Sequence, residues 1–173
     1  AEKTAKVVDE LIQKSAEILK NEDSANFILT RGFATKPQLP SFEEAFGLKA
    51  LAIAVYPMYR GLANLVGMDT PMIEGGLEEE IKILTELYHN YDFFFLHIKK
   101  IDSAGEDGDF NAKVAKIEEF DRFLPQILAL RPDVIIVTGD HSTPALMKSH
   151  SWHPVPVILK SPYVLGGTSL RFT

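Results

Sequence analysis

Asp92-Phe93-Phe94-Phe95-Leu96-His97-Ile98, running into Lys99-Lys100-Ile101-Asp102, and Val134-Ile135-Ile136-Val137-Thr138, running into Gly139-Asp140-His141, decide the fold class. Both are short runs, apolar on consecutive positions, and a strand that hides both faces needs that pattern. A third run, Val155 to Leu159, has the same texture. Helical spacing separates them: Leu77 to Tyr88 before the first, and Phe110 to Leu130 between the first and second. Buried strands alternating with helices predict an α/β chain with a largely parallel sheet covered by helices on both faces.

Upstream, Val7, Val8, Leu11, Ile12, Ile18 and Leu19 share one helical face, with Lys6, Glu10 and Lys14 opposite, so residues 4 to 19 form an amphipathic helix. Asn26 to Leu29 reads as a short strand. Ser41 with Glu44 three residues later is a capping box for a short helix. Leu51 to Val55 is a strand, and Tyr59 to Val66 a helix ending near Gly67. Pro71, Gly75 and Gly76 mark the expected domain boundary. Residues 1–75 are expected to form part of a small inserted α+β domain facing substrate, and residues 76–173 part of the α/β layer.

The 173 residues are 46% hydrophobic with a net charge of −6, which excludes a general nucleic-acid binder with a basic face. There is no cysteine, hence neither a disulfide framework nor a thiolate metal site. No apolar run approaches the roughly 18 residues of a membrane span, and a cytoplasmic protein is expected. The chain opens at Ala1 without methionine and stops at Thr173 in a loop pattern, so a fragment of a longer protein is expected.

Open α/β sheets bind ligands outside the carboxyl ends of their strands. Polar clusters lie at or near all three: Lys99 through Asp109, Thr138-Gly139-Asp140-His141-Ser142, and Ser149-His150-Ser151-Trp152-His153-Pro154 just before the third strand. Carboxylate oxygens with imidazole nitrogens suit zinc or manganese, and magnesium less readily. Such ions clamp the oxygens of a phosphoryl transfer. The bland reading of the Asp-Gly-rich stretch after the first strand is a plain turn. His97 reads as a hydrogen-bonded core histidine, His153 as a rim residue, Trp152 as packing at the edge of the site, and Glu78-Glu79-Glu80 as a solvated first helical turn. Ser103, Ser142 and Ser151 read as hydrogen-bond donors to the candidate ligands rather than as nucleophiles.

The ordered stretches Asn26-Phe27-Ile28-Leu29-Thr30-Arg31-Gly32, His97-Ile98-Lys99 leading to Asp102, Gly105 to Phe110, Thr138-Gly139-Asp140-His141 and His150-Ser151-Trp152-His153-Pro154-Val155-Pro156 resemble the archaeal-type cofactor-independent phosphoglycerate mutases of the alkaline phosphatase superfamily. The resemblance covers nearly the whole chain. It implies a phosphatase-like sheet domain with a smaller insert, and interconversion of 3-phosphoglycerate and 2-phosphoglycerate through a phosphoserine. Two divalent metals and no organic cofactor are implied. Asp102 and His150 would hold one metal, and Asp140 and His141 the other. Glu106 stands where the family usually has a histidine and would be an oxygen ligand. Arg31, and Lys99 more weakly, would contact substrate phosphate or carboxylate. The family's serine nucleophile has no counterpart here and would lie in an N-terminal segment outside the chain. The implied partner is a small phosphorylated three-carbon acid, with no nucleic acid and no membrane. An unpaired sheet edge would promote self-association. The alternatives are a non-catalytic fragment or binding module, or another phosphatase or phosphonate enzyme of that superfamily.

Overall fold

The computed structural model describes residues 2–166. They divide into two compact units between Gln38 and Leu39.

The first unit contains α1 (Glu2–Leu19), the expected amphipathic helix, stitched by Lys6–Glu2 and Lys14–Glu10 pairs one turn apart. None of its residues is buried. The expected strand at Asn26 to Leu29 is irregular backbone instead.

The second unit runs α2 (Phe42–Phe46), β1 (Ala50–Ala54), α3 (Pro57–Leu65), α4 (Leu77–Leu87), β2 (Phe93–His97), α5 (Lys99–Asp107), α6 (Phe110–Ala129), β3 (Ile135–Thr138) and β4 (Val157–Lys160). α2 starts with the expected capping box: Glu44 N–H donates to Ser41 Oγ at 3.1 Å, and Ser41 N–H donates to the Glu44 carboxylate at 2.7 Å.

β1 and β2 pair in parallel, Ile53 opposite Leu96 and Ala54 opposite His97. Strand alternation sorts their side chains into two layers. Leu51 and Ile53 pack with Ile81 and Leu84 of α4, Ile127 of α6, and Phe94 and Leu96 of β2. On the opposite face Ala50 and Ala52 pack with Ala63, Met68, Phe93 and Phe95. Leu51 and Ile53 are 1% and 0% exposed, each side chain contributing about 1.5–3 kcal/mol by leaving water. Helices thus cover both faces of this pair, as expected of an α/β chain.

β1 belongs to the same sheet as β2, within the unit that begins at Leu39. One expectation changes. β4 pairs antiparallel with β3, Ile136 opposite Leu159, because the connection between them folds back on itself. There Ser142 and Ser151 form an antiparallel bridge, with Ser151 N–H donating to the Ser142 carbonyl at 2.9 Å. Among the described residues no helix is long and apolar enough to cross a membrane.

Candidate metal centre

The polar stretch after β2 is a helix rather than a turn. Lys99, Asp102, Ser103 and Glu106 fall at i, i+3, i+4 and i+7 of α5, which places them along one face. The helix stops at Gly108, whose φ of 78° is the left-handed conformation that closes a helix end. α6 follows at once, its start capped by Asp109, which accepts from Ala112 N–H at 2.8 Å. Gly105 allows the close approach of α5 to the loop after β3. A Cβ there would collide with the Thr143 carbonyl oxygen and lie 3.2 Å from Lys113 Nζ. The Lys113 ammonium donates to that same carbonyl at 2.6 Å.

The fold-back between β3 and β4 brings His141 and His150 side by side, their rings stacked at 3.7 Å. Asp102, His141 and His150 each turn a ligand-type atom into one space, all within 4.8 Å of one another. His150 Nε2 lies 3.9 Å from Asp102 Oδ1 and 3.5 Å from Glu106 Oε1. His141 Nδ1 lies 3.9 Å from Asp102 Oδ1, and its Nε2 lies 3.4 Å from Asp140 Oδ2. Two ligand atoms about 2.1 Å from one ion at tetrahedral angles are about 3.4 Å apart. The separations and the mixed carboxylate–imidazole donor set therefore fit a divalent cation.

Lys99 pairs with Asp102 Oδ2 and lies 3.5 Å from Glu106 Oε2. Its hydrogen bond to Asp102 holds the ammonium above the usual lysine range, so the charge is secure at neutral pH. Burial pushes the Asp102 carboxyl up, but hydrogen bonds from Lys99 and Thr143 and the nearby positive charge outweigh it, leaving the group below its ordinary value. Asp140 behaves alike: desolvation is overcome by the hydrogen bond from Tyr59 and by His141, and it too titrates low. Both carboxylates are thus ionised at neutral pH and free to act as ligands.

All seven sequence-predicted site residues can be placed. Lys99, Asp102, Glu106, Asp140, His141 and His150 converge in the second unit. Arg31 lies exposed in irregular backbone of the first unit. Sequence reading missed Thr143 and Tyr59. Thr143 is 4% exposed and its hydroxyl touches both Asp102 and His141. The Tyr59 hydroxyl donates to Asp140 Oδ2, its ring stacks on His97 at 3.9 Å, and the bond to Asp140 raises its own ionisation to about 12. No motif marks Thr143, and Tyr59 reads only as the start of a helix.

Several bland readings also change. His97 is expected to be hydrogen-bonded, yet its Nδ1 is buried without a partner among the described residues, and burial keeps the ring below its usual basicity. Trp152 is 86% exposed and, among the described residues, stacks only on exposed His153. The hydroxyls of Ser103 and Ser142 go to backbone carbonyls, and that of Ser151 to His153. Glu80 is buried at 3% exposure rather than solvated.

The Metalloenzyme superfamily model matches residues 5–172 of this chain. The chain is 59% identical over 174 residues to a probable 2,3-bisphosphoglycerate-independent phosphoglycerate mutase of Aquifex aeolicus, covering 100% of the chain and 43% of that protein. It is 53% identical to a probable enzyme of the same name from Thermotoga maritima, covering 99% and 43%. The chain therefore spans less than half the length of these curated relatives. Among solved structures, a Pyrococcus horikoshii protein superposes with a TM-score of 0.77 at 32% identity, over 92% of this chain and 48% of that one. A cofactor-independent phosphoglycerate mutase from Thermoplasma acidophilum superposes with a TM-score of 0.61 over 95% of this chain and 44% of that one. At 23% identity the latter likeness speaks for the fold alone.

Proposed function

We propose, because this chain belongs to the Metalloenzyme superfamily, that it contributes the metal-holding part of an enzyme interconverting 3-phosphoglycerate and 2-phosphoglycerate. The observation that carries the reading is the convergence of Asp102, His141 and His150 within 4.8 Å, flanked by Glu106 and Asp140. The whole-chain likeness to curated proteins with that activity in their names supports the choice of reaction.

Two donor groups suggest themselves from where the imidazole Nε2 atoms face. His150 Nε2 faces Asp102 and Glu106, which would hold one divalent ion. His141 Nε2 faces Asp140, and this pair would hold the second. Such ions, manganese first and then zinc or magnesium, would supply the positive charge that a phosphoryl group needs and that an acidic chain lacks. Lys99, charged and adjacent to Asp102, would meet a phosphate or carboxylate oxygen of the three-carbon acid. Arg31 of the first unit remains a candidate contact for phosphate or carboxylate, as the family resemblance implies. The serine that carries the phosphoryl group belongs to a part of the enzyme outside these residues, and the setting is cytoplasmic glycolysis and gluconeogenesis. Self-association would run through the exposed β4 edge.

The test is conversion of 3-phosphoglycerate to 2-phosphoglycerate with added manganese, on this chain, on the intact protein that carries it, and on the intact protein with Asp102→Asn. Activity in the intact protein, lost with Asp102→Asn and absent from the short chain, is expected. Release of inorganic phosphate without transfer would replace the mutase with a phosphatase. Silence of a folded, manganese-loaded intact protein would sink both.

A further inference from the structure

The Thr143 hydroxyl has one proton and two polar neighbours. It touches Asp102 Oδ1, and at 3.0 Å His141 Nδ1. An ionised carboxylate can only accept, so the Thr143 proton goes to Asp102. The remaining lone pairs of Oγ1 can then only accept, and the atom facing them must be a donor. His141 Nδ1 therefore carries a hydrogen. A neutral imidazole has a single N–H, which leaves Nε2 as a bare lone pair. That lone pair faces Asp140 Oδ2 across 3.4 Å. Two acceptors facing each other at that distance repel unless a proton or a metal cation lies between them, and in the neutral ring the place is open to a metal.

From this inventory we infer that Thr143 is a positioning residue: it locks neutral His141 as the Nδ1–H tautomer and so presents Nε2, beside Asp140, as the metal-ligating nitrogen. The inference rests on the metal reading above and adds how one chain of protons, His141 to Thr143 to Asp102, ties the two ligand groups together. The device is rigidly held. Thr143 is 4% exposed, its carbonyl is fixed by Lys113, and Gly105 leaves no side chain to push it away. His141, hydrogen-bonded through Nδ1 to Thr143 Oγ1, has one ring orientation, whereas a free imidazole would divide itself between two tautomers and two flips.

The experiment is a long-range proton–nitrogen NMR correlation on the metal-free, histidine-labelled protein above pH 8, where imidazoles are neutral, followed by manganese titration. Wild type is expected to show His141 protonated at Nδ1. Thr143→Val, which keeps the shape and loses the hydroxyl, is expected to abolish that preference and weaken manganese binding by about 10- to 100-fold. Thr143→Ser is expected to restore both, which a purely structural role for the threonine methyl would not. A proton on Nε2 of wild-type His141 would overturn the inference outright, whether or not the valine variant folds. Equal manganese affinity in folded Thr143→Val would overturn it as well. The Nδ1–H tautomer in a protein that takes up no manganese would uphold the tautomer and defeat the metal reading instead, so the two failures are distinct.

Discussion

β1 and β4 are built from similar residues, Ala-Leu-Ala-Ile-Ala and Val-Ile-Leu-Lys, and meet opposite fates. Every residue of β1 is buried and every residue of β4 is exposed. β1 has α4 on one face, α3 on the other and β2 at its side. β4 has β3 at its side, and its Ile158 and Leu159 remain 44% and 45% exposed. Hydrophobic composition creates the possibility of burial; the neighbouring elements decide whether it is realised. Within this chain, stability is therefore concentrated around β1, while the β3–β4 pair carries the loop that holds His141 and His150.

Truncation should break this symmetry of composition. Ile53→Ala, at 0% exposure, is expected to cost about 4 kcal/mol in denaturant unfolding, whereas Ile158→Ala should stay within about 0.5 kcal/mol. Similar losses at both sites would mean that β4 is covered as well as β1.

Glu80 sharpens the picture of the β1 core from the α4 side. Burial raises its carboxyl to about 7 from an ordinary 4.5, and Oε1 has no hydrogen-bond partner among the described residues. The unfolded carboxyl ionises through 4.5 while the folded one stays protonated to about 7. Its contribution is thus intact below 4.5 and is lost as pH rises through 7. Glu80→Gln should leave stability unchanged at pH 4 and raise it by about 2 kcal/mol at pH 8. A pH-independent effect would show that the carboxylate reaches water.

The smallest effect is local to α2. Ser41→Ala removes one half of the capping box and should lower stability by about 1 kcal/mol in denaturant unfolding, and Ser41→Asp should restore most of it.

The legible parts of the fold were those whose signal is local. The unbroken apolar runs at 51–54 and 93–96, the Ser41–Glu44 box and the 3.6-residue spacing of α1, α4 and α6 announce their elements. The direction of β4 was not legible, because it depends on how residues 139–156 turn back, and only the Ser142–Ser151 bridge shows that. α5 was hidden by its composition: Gly105 and the flanking Asp and Ser residues read as a turn. The polar spacing Lys99, Asp102, Ser103, Glu106 was nonetheless a helical signal. The burial of Glu80 escapes the reading of Glu78-Glu79-Glu80 as a solvated turn, although Glu80 falls on the helical face shared by Leu77, Ile81 and Leu84. The candidate ligands stood out by type and order, but Thr143 became visible only when two separate loops met around its hydroxyl.

The most direct test of the central claim is manganese binding followed by electron paramagnetic resonance on wild type and Asp102→Asn, with circular dichroism confirming that both are folded. Binding in the wild type that weakens well over tenfold, on the order of 1.4 kcal/mol or more, in the variant is expected. Equal binding by the two folded proteins, or none by the wild type, would contradict a metal centre built on Asp102, His141 and His150.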